Sequence, residues 1–222
     1  MKRFKVLGLT LLAVFALGSV LSATAFALPE LLGWEGAASW TGKNTAPEPR
    51  LESESATITC TAATASGTQE TDLKSSFDIH FTGCKVVTGI GSFGCNTKGD
   101  AKEVILSKGT ADNVWDVTQS DTAGVLFLPE PVTIECTALV KIKVEGHLVC
   151  LWKEPLVSAK TKEFVCSGSA AKQSETSYLN DERKPVTGQF LTSSLNGGAA
   201  TPAAEVASGS TTFTNAVAFM NE

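Results

Sequence analysis

The chain has 222 residues, of which 18 are basic and 23 acidic, for a formal net charge of −5. That balance excludes nucleic acid and anionic lipid as natural partners, because both require basic patches. A chain of this length buries roughly 70% of its unfolded surface, so it needs no metal to fold.

The N-terminus reads as a secretory leader. Lys2, Arg3 and Lys5 precede an apolar run of 16 residues from Val6 to Leu21. Two overlapping A-x-A sites follow, Ala23-Thr-Ala25 and Ala25-Phe-Ala27. Basic, apolar and small-residue segments in this order define a signal peptide over residues 1–27, cleaved after Ala25 or Ala27. The competing readings are a buried helix or an uncleaved anchor, but the run is short of the roughly 20 residues a span needs. Removing the leader's three cations leaves 15 basic against 23 acidic residues, a net charge of −8. The expected location is extracellular, with no membrane span after leader removal.

Residues 28–50 carry Trp34, Trp40, Pro47 and Pro49 with no clean period, and read as an irregular lead-in to a single β domain over 51–222. From Leu51 the period is two. Ala56, Ile58, Cys60 and Ala62 alternate with threonines. Phe77, Ile79 and Phe81 alternate with Asp78, His80 and Thr82. This strand runs into Gly83-Cys84, a glycine-rich excursion and Cys95, which reads as a hairpin stapled at its base. Val114 to Val117 fits either phase, and Pro129-Glu-Pro131 interrupts any ladder. Ile134 and Cys136, then Val140, Ile142 and Val144, alternate again, and Gly146-His147 reads as a bulge or bend. Cys150 and Cys166 lie in short apolar runs. The stretch from Asn196 to Gly209, rich in Ala, Gly and Ser, reads as a long flexible loop before a last strand around Phe213. No helical period is sustained after residue 28. The expected fold is an all-β, antiparallel β-sandwich or barrel of short strands, stapled by disulfides.

Cys60, Cys84, Cys95, Cys136, Cys150 and Cys166 make an even count in a chain with a leader, which reads as a disulfide frame. Buried thiols or metal ligands are the alternative, but no C-x-x-C occurs and the spacings fit no zinc pattern. Six cysteines allow many connectivities, and spacing alone chooses none.

Each catalytic-looking motif in the chain has a plainer structural reading. Gly89-Ile-Gly91-Ser-Phe-Gly94 has the G-x-G-x-x-G form, but Cys95 and Asn96 follow it where a dinucleotide site needs a helix. His80 and His147 are the only histidines, and no G-x-S-x-G elbow accompanies them. Glu70-Thr-Asp72 begins a glycosidase-like pattern, with Ser75 in place of its second glutamate. Glu52 with Glu54, and Asp112, Asp116 and Asp121, read as solvated surface or loop charge. No catalytic, cofactor-binding or metal residue is assigned, and no cofactor is expected.

With these residues in hand, the chain resembles a large group of secreted, cysteine-containing β proteins of actinobacteria with unknown function. The resemblance rests on Ala27-Leu-Pro-Glu30, Ile58-Thr-Cys60, Phe81-Thr-Gly-Cys84, Cys95 about a dozen residues later, and Ile134-Glu-Cys136, with a faint likeness at Gln173 to Tyr178. It implies the pairs Cys84–Cys95 and Cys60–Cys136. Cys150 and Cys166 lie outside the shared pattern and would then pair with each other. It implies no activity. The expected function is a non-enzymatic structural or binding module at or outside the cell envelope, with a polysaccharide or another protein as partner. The alternative is a secreted glycan hydrolase using a carboxylate pair.

Overall fold

The computed structural model describes residues 30–32, 38–54, 56–88, 91–117, 122–137, 140–180 and 184–220. The leader, Trp34, Gly89 and Asp121 lie outside the described residues.

Among the described residues every element is a strand. The chain begins with β1 (Glu30–Leu32), β2 (Ala38–Ser53), β3 (Thr57–Thr59), β4 (Ala62–Gln69) and β5 (Lys74–Thr82). The cysteine-rich stretch forms β6 (Lys85–Thr88), β7 (Gly91–Gly94) and β8 (Asn96–Thr97). Next come β9 (Val104–Trp115), β10 (Ala123–Pro129), β11 (Val132–Thr137), β12 (Val140–Glu145) and β13 (Leu148–Trp152). The last third holds β14 (Ala159–Cys166), β15 (Gly168–Ser169), β16 (Lys172–Gln173), β17 (Ser177–Leu179), β18 (Pro185–Thr187), β19 (Thr192–Leu195) and β20 (Thr201–Met220).

The pairing is antiparallel and closes on itself. β2, β4, β5, β9, β10, β13, β14 and β20 are hydrogen-bonded in that order, and β20 pairs back onto β2. This is a closed eight-stranded barrel, which leaves no exposed sheet edge along its circuit. A second circuit uses the same two strands further along their length. It leaves β2 through β3, β6 and β7, and leaves β20 through β19, β12, β11 and β8. β7 and β8 are one run of chain interrupted at Cys95, so this lobe also closes. Each circuit has its own core. Trp40, Phe77, Trp115, Leu148, Trp152 and Phe219 fill the barrel, while Ile58, Val86, Ile105, Ile134, Ile142 and Leu191 fill the second lobe. A third cluster lies outside the barrel wall. There Val114, Leu126 and Val149 are covered by Tyr178, Val186 and Phe190, from the β17–β18 ladder and the segment after it.

Two readings of the sequence are corrected here. Residues 38–50 are not an irregular lead-in but most of β2, a 16-residue strand. Its prolines are tolerated because the β2–β20 register breaks between Thr45 and Arg50, so Pro47 and Pro49 owe no ladder hydrogen bond there. Residues 201–209 are not a flexible loop but the first half of β20, a 20-residue strand. Their small side chains read as linker composition. In the fold they make room for large neighbours: a Cβ added at Gly209 would lie 2.5 Å from the Phe164 ring. Large side chains lying over glycine are a common way to fill a strongly curved sheet.

The disulfide pairing is also corrected. The bonds are Cys60–Cys84, Cys95–Cys136 and Cys150–Cys166. Only the last agrees with the pairing the family resemblance implied. The expected hairpin is present, since β6 and β7 pair and the Cys95 N–H donates to the Cys84 carbonyl at 2.8 Å. The two buried cysteines at its base do not bond each other. Cys84 reaches the end of β3 and Cys95 reaches β11, so the hairpin is tied to both flanks of the second lobe. Peptide mapping without reductant should therefore recover linked peptides for Cys60–Cys84 and Cys95–Cys136. A Cys84–Cys95 peptide would contradict this arrangement.

Candidate functional site: the junction cavity

The two circuits do not pack solidly where they meet. Cavities of about 80 and 70 Å³ adjoin there, and both are walled by Pro49, Phe81, Ser107, Pro129, Leu148 and Glu205. The first continues into the barrel past Phe77, Ile79, Phe127 and Phe164. The second continues past Ile58, Ile105, Ile134 and Val144. Strand alternation explains the lining. Phe77, Ile79 and Phe81 share the inner face of β5, and Ile105, Ser107 and Ala111 share that of β9. On β20, Ala203 belongs to the second core and Ala207 to the barrel core, so Glu205 between them also faces inward. It stands opposite Leu51 of β2, which packs on the second core.

Glu205 is the unusual group in this wall. Glu205 is half-buried, its carboxyl has no hydrogen bond or ion pair among the described residues, and the surrounding protein raises its pKa to about 7 by desolvation. Its backbone, by contrast, is held firmly. β14 leaves β20 after Cys166 meets Ala207, and β19 joins at Pro202. Gln173 fills the gap like one residue of a missing strand. The Glu205 N–H donates to Gln173 Oε1 at 3.1 Å, and Gln173 Nε2 donates to the Glu205 carbonyl at 3.3 Å. Gln189 grips Gln173 in the same way, accepting from its N–H at 3.0 Å and donating to its carbonyl at 3.1 Å. Two side-chain amides thus complete the wall where one circuit passes into the other.

A second polar cluster lies beside the outer apolar patch. Asp116 is buried, and its backbone bridges to Tyr178. Its side chain lies beside that of Glu175. Burial, then the hydrogen bond and charge of Asp116, push Glu175 up to about 7. His147 stacks on Phe190 at 4.4 Å and meets Tyr178 edge-on at 5.9 Å. Burial lowers its pKa, so the ring is neutral at pH 7.

The other residues singled out in the sequence are dispersed. His80 is exposed and meets Asp78 at 3.1 Å, far from any nucleophile pattern. Glu52 pairs with Arg50 at 2.7 Å, and Glu54 and Glu70 are exposed. Gly91 and Gly94 belong to β7, with no helix after them. No group of three or more His, Cys, Asp or Glu side chains among the described residues is placed to hold a metal. Glu205 and Glu175 were not picked out in the sequence. Glu205 lay in the segment read as linker, and its position at i+2 from one inward alanine and i−2 from another is the signal that would have found it.

The chain matches no protein-family model, and comparison with curated proteins and solved structures gives no significant match. The geometry therefore carries the functional argument alone.

Removing the Gln173 amide leaves the Glu205 N–H and carbonyl unsatisfied in the wall. Gln173→Ala should cost about 2–6 kcal/mol in denaturant unfolding, the sum expected for two such groups. The pH dependence follows from the raised carboxyls. Glu205 and Glu175 favour the neutral form in the fold, so their contribution is full below the unfolded value of 4.5 and is lost as pH rises through about 7. Between pH 4.5 and 7 the Tm of Glu205→Gln should fall less steeply than that of the parent protein. Parallel Tm curves would refute the burial of this carboxyl.

Proposed function

We propose that the protein is a non-enzymatic binding module that works outside the cytoplasmic membrane and holds a small apolar ligand in the junction cavity. The observation that carries this reading is the pair of adjoining apolar cavities, set inside closed circuits and meeting at one carboxyl and one hydroxyl. Ligand sites are typically concave and apolar with few convergent polar groups, and this junction has that make-up. Together the cavities approach the size at which an apolar cavity of about 150 Å³ takes up benzene.

The leader pattern of residues 1–27 supports an extracytoplasmic setting. The three disulfides are consistent with an oxidising compartment. A polysaccharide suits the junction poorly, because a sugar ring needs several hydrogen-bonding groups, and where the two cavities meet only Glu205 and Ser107 stand among Pro49, Phe81, Pro129 and Leu148.

Among the described residues, the hydrolase reading finds one pair of adjacent carboxyls, Asp116 and Glu175. They are close enough for the charge of Asp116 to raise the pKa of Glu175, whereas cleavage of a glycoside needs carboxyls about 5–10 Å apart with the sugar or water between them. Asp116 is also buried, which leaves no room for a sugar beside it.

Ser107 faces the cavity from the strand across from Glu205 and has no side-chain hydrogen bond among the described residues. Replacing it with leucine should fill the junction without removing a needed partner. Toluene should bind the parent protein saturably, as read by ligand-observed NMR, and Ser107→Leu should weaken binding at least tenfold with the Tm preserved. Absence of saturable uptake by the parent protein would refute the proposal.

A further inference from the structure

We propose that the ligand of the junction cavity is a small organic cation, an amine with an apolar body of about benzene size. This rests on the binding reading above and narrows it to one chemical class. A carboxylate inside an apolar wall, such as that of Glu205, is costly unless a proton, a donor or a cation accompanies it. No side chain of the described residues supplies one. The other charged residues of the wall are Lys43, Arg50 and Glu130. Arg50 is committed to Glu52 at 2.7 Å, and Lys43 and Glu130 are exposed to solvent. The carboxylate is therefore left for an outside partner.

The rest of the wall suits a cation more than any neutral molecule. Phe77, Phe81, Phe127 and Phe164 line the cavity together with Trp40. Aromatic faces attract an ammonium through the ring quadrupole, most strongly when water is excluded. Ser107 adds a hydroxyl oxygen that can accept from the same ammonium. A carboxylic acid would meet Glu205 as a like charge, and a hydrocarbon would leave the carboxylate uncompensated. An amine satisfies the charge and fills the apolar space at once. Burial of Glu205 adds a consequence: the amine must meet the ionised carboxyl, so binding should strengthen as pH rises through about 7.

The test compares four molecules of one size, benzylamine, benzyl alcohol, toluene and benzoate, on the full oxidised protein by calorimetry and ligand-observed NMR. At pH 8 benzylamine should bind at least tenfold tighter than benzyl alcohol or toluene, and benzoate weakest of all. Benzylamine affinity should fall several-fold from pH 8 to pH 5.5, while toluene affinity stays flat. Glu205→Gln should abolish the amine preference. If the amine, alcohol and toluene bind alike, the cation inference fails and the cavity reading stands. If none binds, both fail. The parent protein alone decides between these outcomes, so a Glu205→Gln variant that does not fold leaves the test intact.

Discussion

The ladder between β2 and β20 is the constraint on which the molecule depends. Neither strand belongs to one circuit. Trp40 to Thr45 face Phe213 to Ser208 in the barrel wall, and Arg50 to Ser53 face Val206 to Ala203 in the second lobe. Both closed sheets therefore share one seam, and a change of register at any point in it would be felt in two cores. The four-residue bulge at Ala46–Pro49 is where the seam changes allegiance. It lets β2 bend from one circuit to the other while β20 runs straight through.

The cavity follows from this arrangement. Two curved sheets that share a seam cannot both be filled at their meeting point without a large side chain on the shared strand. β20 carries Ala203, Ala204, Ala207, Ser208 and Gly209 there, and Phe164 already occupies the space over Gly209. The one long side chain in that run is Glu205. A leucine in its place would be the ordinary answer to a packing gap. An acid there lowers stability at neutral pH, and a function that uses its charge would account for it. The same logic separates it from Lys162, also inward-facing on its strand. Lys162 has a structural explanation, because its ammonium donates to the carbonyls of Glu154 and Val157 at 2.6 Å and of Pro155 at 3.1 Å, tying down the loop between β13 and β14.

The sequence showed the strand content well where side chains alternate in size. Phe77, Ile79 and Phe81 do face one interior, and Ile134, Ile142 and Val144 do face another. Val114 and Trp115, readable in either phase, proved buried on both faces, Val114 under the outer patch and Trp115 in the barrel. The sequence was opaque where small residues do the work of a strand. Alanine, glycine and serine carry almost no period-two signal, so β20 looked like linker and the prolines of β2 looked like irregular chain. The pairing of cysteines was opaque for another reason. Cys84 and Cys95 are neighbours across a hairpin, yet each side chain bonds a strand distant in sequence, and only the three-dimensional wrapping of the lobe decides that. The site suffered with the fold, since its central acid lies in the segment whose strand character was hidden.

One consequence of the shared seam concerns the order of assembly. A chain made from the N-terminus presents β2 early and β20 last, so the contact that closes both sheets spans nearly all of the described sequence. Proteins dominated by such distant pairings fold slowly, because the entropy of gathering the intervening chain is spent before the contacts that repay it form. The disulfides join residues only 24, 41 and 16 positions apart, so each loop can be locked before the final strand arrives. Neither sheet closes without β20: its Ala203–Val206 stretch seals the second lobe and its Ser208–Phe213 stretch seals the barrel, so a single strand hides the open edges of both.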